Sequence, residues 1–554
     1  MLALVLALRM WQLSSAMLSP LSYQPGPDED YYLHFGQAVA SGQGQNSAEF
    51  TFLDQGYGFL LGGIFKLVGV NLFVVYFLQV LVDTATAGGI YVIGRLLGRP
   101  RAGLYGALLY GVATTAIMYA TTMLKETWAA GYLTWWVAGA ILLIRSERKT
   151  GWLLFGVYCG LGVALRSNLV LMGALALLLP GLCAPALRTR LNWALKAGLI
   201  VCGMAIALAP WSLRNARACG SISPLPHNGG IELHQVYNEQ NPGSELWIPA
   251  FVNYLEPREI WRGYAAEADR RAGRSLSVPE VDRYWRDEAL RYIRAQPTRV
   301  IRDTLQKSLN FLSAAEVPDN RSSLEERLFS PVLDLLPAPS AWLMALGLAG
   351  LLWFAIADRR WPIVAAPIFV AWLTVALFFT QDRFRFLAIP MLALCSGFWI
   401  DQLATQIRER HTRQIAAFAG LAAVIAAVSL ALGARNPPAP VRWDQIAWGY
   451  IKMGRVPQAQ ALAARIAAQQ PDNGAIWEAL GFTAIAQEHY RDAADDYERA
   501  IKLRPRSHVA HYNLAKVYLK LGERQRASEE AKAALDLYPS PDYAELWRQT
   551  ARDP

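Results

Sequence analysis

Long apolar stretches alternate with polar ones over the first 435 residues of the chain. A helix needs about 20 predominantly apolar residues to cross the roughly 30 Å hydrocarbon core of a membrane. Eleven stretches approach that length, which predicts an all-α bundle of about eleven transmembrane helices. They are residues 2–19, 71–94, 102–122, 127–144, 151–166, 169–186, 193–212, 340–357, 361–380, 385–404 and 414–434. A shorter apolar segment, 57–69, contains Lys66 and several glycines, so we expect it to lie at the membrane interface.

Short basic connections between these stretches set the predicted orientation, because Lys and Arg accumulate in cytoplasmic loops. With eleven spans, five such connections fall on the side of the N-terminus, which is therefore predicted to be cytoplasmic. They are residues 98–101, 145–149, 188–190, 358–360 and 408–413. The long polar segments 20–70 and 213–338, together with everything after residue 435, would then face outward. In a bacterial inner membrane, the expected location, that side is the periplasm.

A 34-residue repeat begins after a proline-rich linker, residues 436–440, and its composition is that of a soluble protein. Residues of similar character recur at matching positions: Trp443, Trp477 and His511; Ala447, Gly481 and Ala515; Ala459, Ala493 and Ala527; Pro471, Pro505 and Pro539. Small residues at helix crossings and a proline after each helix pair are typical of tetratricopeptide repeats. The sequence therefore predicts a membrane domain, 1–435, and an α-solenoid of three such repeats, 441–554.

The second long polar segment contains signals for helix starts. Ser277-Val-Pro-Glu280 has the pattern of a capping box, which predicts a helix from there to about Ala295. Pro297 then opens a second helix running toward Leu312. The large outer loop is therefore expected to be partly helical.

Composition excludes a soluble enzyme of this size, since 54% of the residues are hydrophobic and only 18% are charged. The net charge of +9 needs no nucleic acid to explain it, because cytoplasmic loops collect basic residues. No zinc-finger or RNA-binding motif is present, so a nucleic-acid partner is not expected. No residue cluster has the spacing of a structural zinc site, although the acids near residue 28 could bind a divalent cation.

Polar residues gather at the predicted outer ends of the spans. The first outer loop opens with Asp28, Glu29 and Asp30, which either form a solvated stop to the first span or supply a carboxylate that deprotonates an acceptor hydroxyl. Other outer connections contribute Lys125, Glu126, Arg166, Asn168, Arg214, Asn215, Asp382, Arg383 and Arg385. A single arginine there is often an interfacial anchor. Several together predict a phosphate site, because guanidinium binds phosphate bidentately and keeps its charge.

Two further sets of polar residues are explained without a catalytic role. Asp83 lies in the middle of the second predicted span, where a carboxylate is costly, so we expect it to bond to a neighbouring helix. His227 and His234 lie in a polar loop, where histidines are ordinary.

Three motifs occur in order along the chain: Asp28-Glu29-Asp-Tyr-Tyr32, then Pro210-Trp211-Ser-Leu-Arg214-Asn215 followed by Asn228-Gly229-Gly230, and finally Arg383-Phe-Arg385 leading to Pro390. Through them, residues 1–405 resemble the GT-C class of polytopic membrane glycosyltransferases. The resemblance is strongest to the protein-mannosyltransferase and lipid A aminoarabinose-transferase branch, the glycosyltransferase family 39-like proteins.

The resemblance implies an inverting transfer of a sugar from a polyprenyl phosphate donor on the non-cytoplasmic side. Asp28 would be the catalytic carboxylate with Glu29 beside it, although three acids in a row leave open which one points into the cavity. The residues expected to bind substrate are Asp30, Tyr32, Glu126, Arg166, Arg214, Asn215, Arg383 and Arg385. The last two would hold the donor phosphate.

The repeats bear on the acceptor. They face the same compartment as the site in the predicted topology, and such stacks commonly bind peptides, so the acceptor is expected to be a protein. Three alternatives remain open: a glycolipid or polysaccharide acceptor, a ligase or polymerase of the O-antigen type, and a non-enzymatic scaffold that presents the repeats.

Overall fold

A computed structural model describes residues 1–43, 47–146, 148–179, 181, 190–241, 243, 245–252, 256–337, 340–436, 439–538 and 540–551. Within these residues the regular structure is helical and no strand occurs, which confirms the predicted all-α class. The chain divides into two compact units. One is formed by Met1–Ser15 and Gly26–Ala439, the other by Ala16–Pro25 and Pro440–Pro554.

The helices up to residue 433 follow most of the predicted spans. The first are α1 (Leu2–Leu18), α2 (Pro27–Ala40), α3 (Gln55–Val68), α4 (Leu72–Leu96), α5 (Pro100–Gly111), α6 (Thr114–Tyr119), α7 (Glu126–Leu143), α8 (Lys149–Leu165), α9 (Val170–Ala176), α10 (Arg190–Cys219) and α11 (Gly229–Val236). They continue with α12 (Pro257–Ala272), α13 (Val278–Ala295), α14 (Pro297–Leu312), α15 (Ser323–Arg327), α16 (Pro331–Leu335), α17 (Ser340–Ala357), α18 (Trp361–Leu377), α19 (Asp382–Phe386), α20 (Ile389–Arg408) and α21 (Thr412–Gly433).

Three helices in the described part of the chain are long and apolar enough to cross a membrane unaided. They are α4, the Trp193–Cys219 part of α10, and α21. The other apolar helices of this unit that reach 10–17 residues are Leu2–Leu18, Lys149–Leu165, Ser167–Ala176, Ala341–Ala357 and Trp361–Leu377. Most predicted spans correspond to helices at least as long as predicted, and the helices are shorter only at 2–19, 102–122, 169–186 and 361–380.

The predicted span 102–122 is not one continuous helix. It breaks at Val112 and Ala113 into α5 and α6, and the carbonyl groups of Tyr110 and Gly111 accept hydrogen bonds from the guanidinium of Arg9. Carbonyls released by a helix break must find partners in an apolar environment. The buried arginine supplies them, a long-range contact that hydropathy alone does not reveal.

Two other predicted spans differ from the helices at one end. The helix α9 stops at Ala176, and residues 182–189 lie outside the described residues, as does most of the basic connection 188–190. The predicted span 385–404 begins at Ile389, because Asp382–Phe386 forms the separate helix α19.

Charged and small residues hold the bundle together. Arg9 on α1 forms a fully buried ion pair with Asp83 on α4 (Nε–Oδ2 2.6 Å), and Tyr110 on α5 donates to the same carboxylate. Asp83 therefore bonds to neighbouring helices, as expected. At the α8–α10 crossing, a Cβ atom on Gly156 would lie only 2.7 Å from the Cα of Ile200, so this close approach requires glycine.

The segment 213–338, which was predicted to be an outer loop, is partly helical as expected. Helix α13 begins with the expected capping box, in which the Ser277 backbone N–H donates to Glu280 (2.8 Å), and α14 begins at Pro297. His234 packs against Trp285 with ring centroids 4.4 Å apart, and burial lowers its pKa to about 4, so it is a neutral packing residue.

The second unit contains the repeats. Its helices are α22 (Trp443–Lys452), α23 (Val456–Gln469), α24 (Gly474–Ala486), α25 (Tyr490–Leu503), α26 (His508–Leu521), α27 (Arg524–Leu537) and α28 (Pro541–Ala551). Ala459, Ala493 and Ala527, at equivalent repeat positions, are fully buried where paired helices cross. The segment Ala16–Pro25 belongs to this unit, and the Gln24 amide donates to Gln445 on α22 (3.1 Å). Pro539, one of the repeat prolines, lies outside the described residues.

Candidate active site

The site is built around the first turn of α2. Gly26 precedes the helix, Pro27 sets the helical backbone angle of its first residue, and Glu29 closes a capping box by accepting the Gly26 backbone N–H (Oε2, 2.8 Å). Acidic residues are favourable in a first helical turn because the exposed N–H groups there carry partial positive charge. Local structure thus explains part of the acidic run, and the three side chains differ in what they contact.

Asp28 faces the cavity described below. Its Oδ2 atom forms an ion pair with Arg383 and accepts a hydrogen bond from Asn320 Nδ2 (3.2 Å). Its backbone N–H donates to Asn320 Oδ1 (2.9 Å). Arg383 also contacts Asp319 (Nε–Oδ2 2.9 Å), so one guanidinium bridges two carboxylates.

Glu29 points into the protein instead. It is fully buried and pairs with Arg321, whose Nη2 lies 2.8 Å from Oε2. Oε1 accepts the backbone N–H of Met123 (3.0 Å). With both oxygens engaged and no part in lining the cavity, Glu29 fixes α2 to its neighbours.

Asp30 points in a third direction. Its Oδ2 atom lies 3.3 Å from His34 Nδ1 and 4.0 Å from Arg258 Nη2, and its side chain is about one-third exposed. The hydrogen bond to Asp30 raises the pKa of His34, even though partial burial opposes this. Asp30 therefore belongs to a charged network on the outer loops.

A cavity of about 370 Å³ opens beside Asp28. Its polar lining comes from Asp28, Asp54, Lys125, Arg166, Ser167, Asn168, Asn228, Glu232, Thr374 and Arg383. Its apolar lining comes from Leu53, Val170, Leu171, Leu225, Pro226, Leu373, Leu377, Phe378, Phe379 and Phe384. The residues come from α2, α9, α11, α18, α19 and the connections between helices, so distant parts of the chain converge here.

Lys125 and Asp54 form one ion pair of the cavity wall. Asp54 also accepts the backbone N–H of Ser167 (2.8 Å), while Lys125 Nζ donates to the hydroxyl of the buried Tyr32 (3.0 Å). Burial alone would raise the pKa of Asp54, but Lys125 and the Ser167 N–H outweigh it and leave the pKa below its ordinary value. Tyr32 thus lies directly behind the cavity and orients the lysine.

Arg166 and Glu126 form the next ion pair. The Nη1 atom of Arg166 lies 2.7 Å from Oε1 of Glu126, and both side chains are almost fully buried. The guanidinium groups of Arg166 and Arg383 lie 5.1 and 5.0 Å from the ring centroid of Phe384, which sits between them. Glu126 and Phe384 thereby hold the two arginines beside the cavity.

Three predicted site residues lie elsewhere. Arg385 is buried and donates to the carbonyl oxygens of Asn310, Ser313 and Ala315, at 2.8–3.1 Å. Arg214 donates to Asn215 (3.1 Å) and lies over the rings of Phe35 and Phe59. Asn215 is fully buried and binds backbone carbonyls near Leu225. These contacts stabilise the surroundings of the cavity without lining it.

Glu232 was missed by sequence reasoning, although it lies in the Asn228-Gly229-Gly230-Ile-Glu-Leu motif. It lines the cavity from α11 and accepts a hydrogen bond from Asn228 Nδ2 (2.6 Å). Burial raises its pKa to about 7, with Asp54 contributing in the same direction and Lys125 opposing it. No pattern in the sequence separates this glutamate from a solvated one.

Asp319, Asn320 and Arg321 were also missed. They form a short irregular segment before α15 and bind Arg383, Asp28 and Glu29 respectively. The run Asp-Asn-Arg in a long loop carries no periodicity, so only the fold reveals that it faces α2.

The cavity carboxylates are paired with cationic side chains. Asp28 is paired with Arg383, and Asp54 is paired with Lys125. In the described parts of the chain, no group of three or more His, Cys, Asp or Glu side chains is arranged to hold a metal ion. The divalent cation that the sequence left open stays a prediction.

The solved structures to which the chain is similar include two from an archaeon. One is the oligosaccharyltransferase AglB from Archaeoglobus fulgidus with an inhibitory peptide and a dolichol-phosphate (13% identity, 80% of this chain, 57% of that chain, TM-score 0.40). Another is the Archaeoglobus fulgidus oligosaccharyltransferase with zinc and sulfate (14% identity, 80% of this chain, 54% of that chain, TM-score 0.42). The chain spans little more than half the length of these proteins. No curated protein is significantly similar to it.

Family models match two segments of the chain. Residues 484–549 match the tetratricopeptide repeat. Residues 56–213 match the model described as dolichyl-phosphate-mannose-protein mannosyltransferase. This second match includes the cavity residues Lys125 and Arg166 and the partner of Arg166, Glu126. Residues 56–213 are therefore similar to a family of membrane glycosyltransferases of the GT-C class, and a segment similar to tetratricopeptide repeats follows them in the same chain.

Proposed function

We propose that the chain transfers a sugar from a polyprenyl phosphate to a hydroxyl group of an acceptor at the outer face of the membrane. The observation that carries this proposal is the cavity itself, because both ion pairs and apolar side chains line it. A lipid-linked sugar phosphate likewise combines a charged head with an apolar tail. The name of the matched family also specifies a lipid-phosphate sugar donor and a protein acceptor.

The charged lining residues suit the head of the donor. Lys125, Arg166 and Arg383 supply three cationic groups to the cavity, and each is already held by a carboxylate. Cations fixed before the reaction stabilise charge that develops in the transition state without the cost of reorganisation. The negative charge that forms on the departing phosphate would be stabilised in this way.

Asp28 acts as the general base. It accepts the proton of the acceptor hydroxyl while the acceptor oxygen attacks the anomeric carbon of the sugar. The bond from that carbon to the phosphate oxygen breaks, and its electron pair stays on the polyprenyl phosphate. Attack from the face opposite the phosphate inverts the anomeric configuration.

The apolar lining residues suit the first isoprene units of the carrier. Val170 on α9 and Leu377 on α18 both line the cavity, and 39% and 44% of their surfaces are exposed. Both belong to apolar helices, so their exposed surfaces meet lipid rather than water in a membrane. The donor tail would leave the cavity between them.

The acceptor is proposed to be a protein, and the active side to be the periplasmic face of a bacterial inner membrane. The repeats support a protein acceptor, because stacked helical repeats form extended surfaces that bind peptides. The basic connections support the sidedness, because they cluster on the opposite side in the predicted topology.

A transfer assay with a matched pair of variants tests the proposal. Full-length protein would be incubated with radiolabelled polyprenyl-phosphate sugars, and label reaching an acceptor or water would be counted. Asp28→Asn should reduce transfer by about 100-fold or more, the range expected for loss of a general base. Asp30→Asn, a change of the same size two residues away and outside the cavity, should leave transfer within about threefold. Equal activity of Asp28→Asn and wild type would contradict the proposal and favour a ligase of another type.

A further inference from the structure

The cavity contains a carboxyl group that the proposed transfer does not use. Three carboxyl groups of the described residues line the cavity: Asp28, Asp54 and Glu232. Asp28 pairs with Arg383 and Asp54 pairs with Lys125. Glu232 forms no ion pair with any residue in the described ranges, and the neutral amide of Asn228 donates a hydrogen bond to its Oε1 atom (2.6 Å).

The charges around Glu232 nearly cancel. The other charged groups of the cavity that act on it are the Lys125–Asp54 pair and, more weakly, the Arg383–Asp28 pair. Behind it, α11 packs against α13, where Asp282 accepts the Gly230 N–H (2.7 Å) and has Arg286 nearby. Each cation is thus accompanied by an anion, and Glu232 receives no net positive charge. Burial therefore dominates and raises its pKa to about 7.

An anion in this cavity would change the charge of Glu232. Two negative groups in contact repel each other, so a bound phosphate favours the protonated carboxyl group. A protonated carboxyl group has an O–H donor, and phosphate oxygens are strong acceptors. Because Oε1 already accepts from Asn228, the proton would lie on Oε2 and would be available to the ligand.

We propose that Glu232 binds the donor phosphate as a neutral carboxyl group, so that donor binding takes up one proton at this side chain. This inference rests on the proposed function, since it needs an anionic phosphodiester in the cavity. It makes Glu232 a phosphate-binding residue in addition to the three cations. No bond to carbon forms or breaks in this step, and the proton comes from solvent.

The sign of the pH dependence follows from linkage. Phosphate binding raises the pKa of Glu232 above its value of about 7 in the free protein, so binding consumes a proton above that pH. The affinity for the phosphate is therefore highest well below pH 7 and falls as the pH rises through that value. If the carboxyl group stays protonated throughout the bound state, the dissociation constant increases by about 30-fold between pH 6 and pH 8.5.

The test uses a ligand whose charge does not change with pH. A polyprenyl methyl phosphate is a phosphodiester with one negative charge across this range, and it has no sugar that must be guessed. Its dissociation constant would be measured by calorimetry on the full-length protein in nanodiscs from pH 6 to 8.5. Wild type should lose affinity as calculated, and the heat should depend on the buffer because a proton is taken up.

Two variants separate the proposal from a structural role. Glu232→Gln keeps the shape and an N–H donor but does not titrate, so it should bind like wild type at pH 6 and keep that affinity at pH 8.5. The control is Glu239→Gln, which changes an exposed glutamate shortly after α11 and should behave as wild type at every pH. Wild-type binding that does not vary with pH, or an equal variation in Glu232→Gln, overturns the role of Glu232 while leaving the proposed function standing. Absence of binding at every pH overturns both.

Discussion

At the scale of single residues, three consecutive acids make three different sets of contacts because a helix turns by about 100° at each residue. Asp28 reaches the cavity, Glu29 reaches the buried Arg321, and Asp30 reaches His34 and Arg258. A carboxylate that is fully paired inside the protein serves stability, whereas one at a cavity wall can meet a ligand. The same chemical group therefore has different consequences when it is removed.

The Glu29–Arg321 pair predicts a stability effect. Replacing Arg321 by Met would leave Glu29 buried with no cation, which costs about 3–5 kcal/mol when one partner of a buried pair is removed. We expect a lower thermal midpoint of the protein in detergent, measured by intrinsic fluorescence. Asp30→Asn, which touches only a partly exposed pair, should shift the midpoint little. An unchanged midpoint in Arg321→Met would show that Glu29 is not held as described.

At this scale, the sequence predicted which types of residue line the cavity, but it did not predict what each side chain contacts. Asp28, Arg166 and Arg383 line the cavity, and Tyr32 and Glu126 lie directly behind it. Arg385 has the same charge and comes from the same short motif, but α19 turns its guanidinium toward backbone carbonyls. Glu232 gave no signal, because its surroundings are created by residues far from it in sequence, among them Asp54 and Lys125.

At the scale of elements, the segment of residues 317–321, before α15, positions the first turn of α2. Asn320 binds both the side chain and the backbone of Asp28, and the Val317 carbonyl accepts the N–H of Asp382 at the start of α19 (3.0 Å). The segment therefore links the two elements that carry Asp28 and Arg383. The ion pair between Asp28 and Arg383 therefore depends on this third segment, which belongs to neither helix.

Gly26 lies where this segment approaches α2 most closely. A Cβ atom there would be 2.8 Å from Asn320 Oδ1 and 2.9 Å from Asn320 Cβ, so Gly26→Ala should displace the segment and disturb Asp28. We expect sugar transfer to fall by about tenfold or more, since small displacements of catalytic groups are costly. Gly63→Ala on α3, where the new atom meets nothing within 4 Å, is the control and should keep full activity. Full activity in Gly26→Ala would contradict this account.

The Arg9–Asp83–Tyr110 cluster joins α1, α4 and α5 at the point where the third predicted span breaks. Asp83→Leu would leave Arg9 buried without its partner and should destabilise the fold by about 3–5 kcal/mol. Arg9→Met combined with Asp83→Leu should recover much of that loss, because neither charge then remains. Denaturation in mild detergent measures both variants, and a double variant no more stable than Asp83→Leu alone would argue against the ion pair.

At the scale of the whole chain, periodicity and hydropathy predicted the class of fold and the repeats well. Alanines 34 residues apart mark helix crossings, and Ala459, Ala493 and Ala527 are buried there. The bounds of the transmembrane spans were predicted less accurately. Apolar length alone does not reveal a break such as the one at Val112, because its freed carbonyls are satisfied by Arg9, about 100 residues earlier in the chain.

The predicted sidedness can be measured in sealed right-side-out vesicles with a membrane-impermeant maleimide. Ser275→Cys in the outer loop and Gln525→Cys in the repeats should be labelled, because both positions are exposed and predicted to face outward. Glu409→Cys, exposed in a basic connection, should be labelled only after the vesicles are opened. Labelling is read as the increase over wild type. A reversed pattern would place the cavity on the cytoplasmic side and contradict the proposed location.

The most direct measurement is the structure of the full chain in a lipid nanodisc with a polyprenyl-phosphate sugar, determined by electron cryomicroscopy. The account predicts density for the phosphate among Lys125, Arg166 and Arg383, with the sugar beside Asp28 and the lipid tail between Val170 and Leu377. Density for the phosphate at any other place, with this cavity empty, would contradict the central claim.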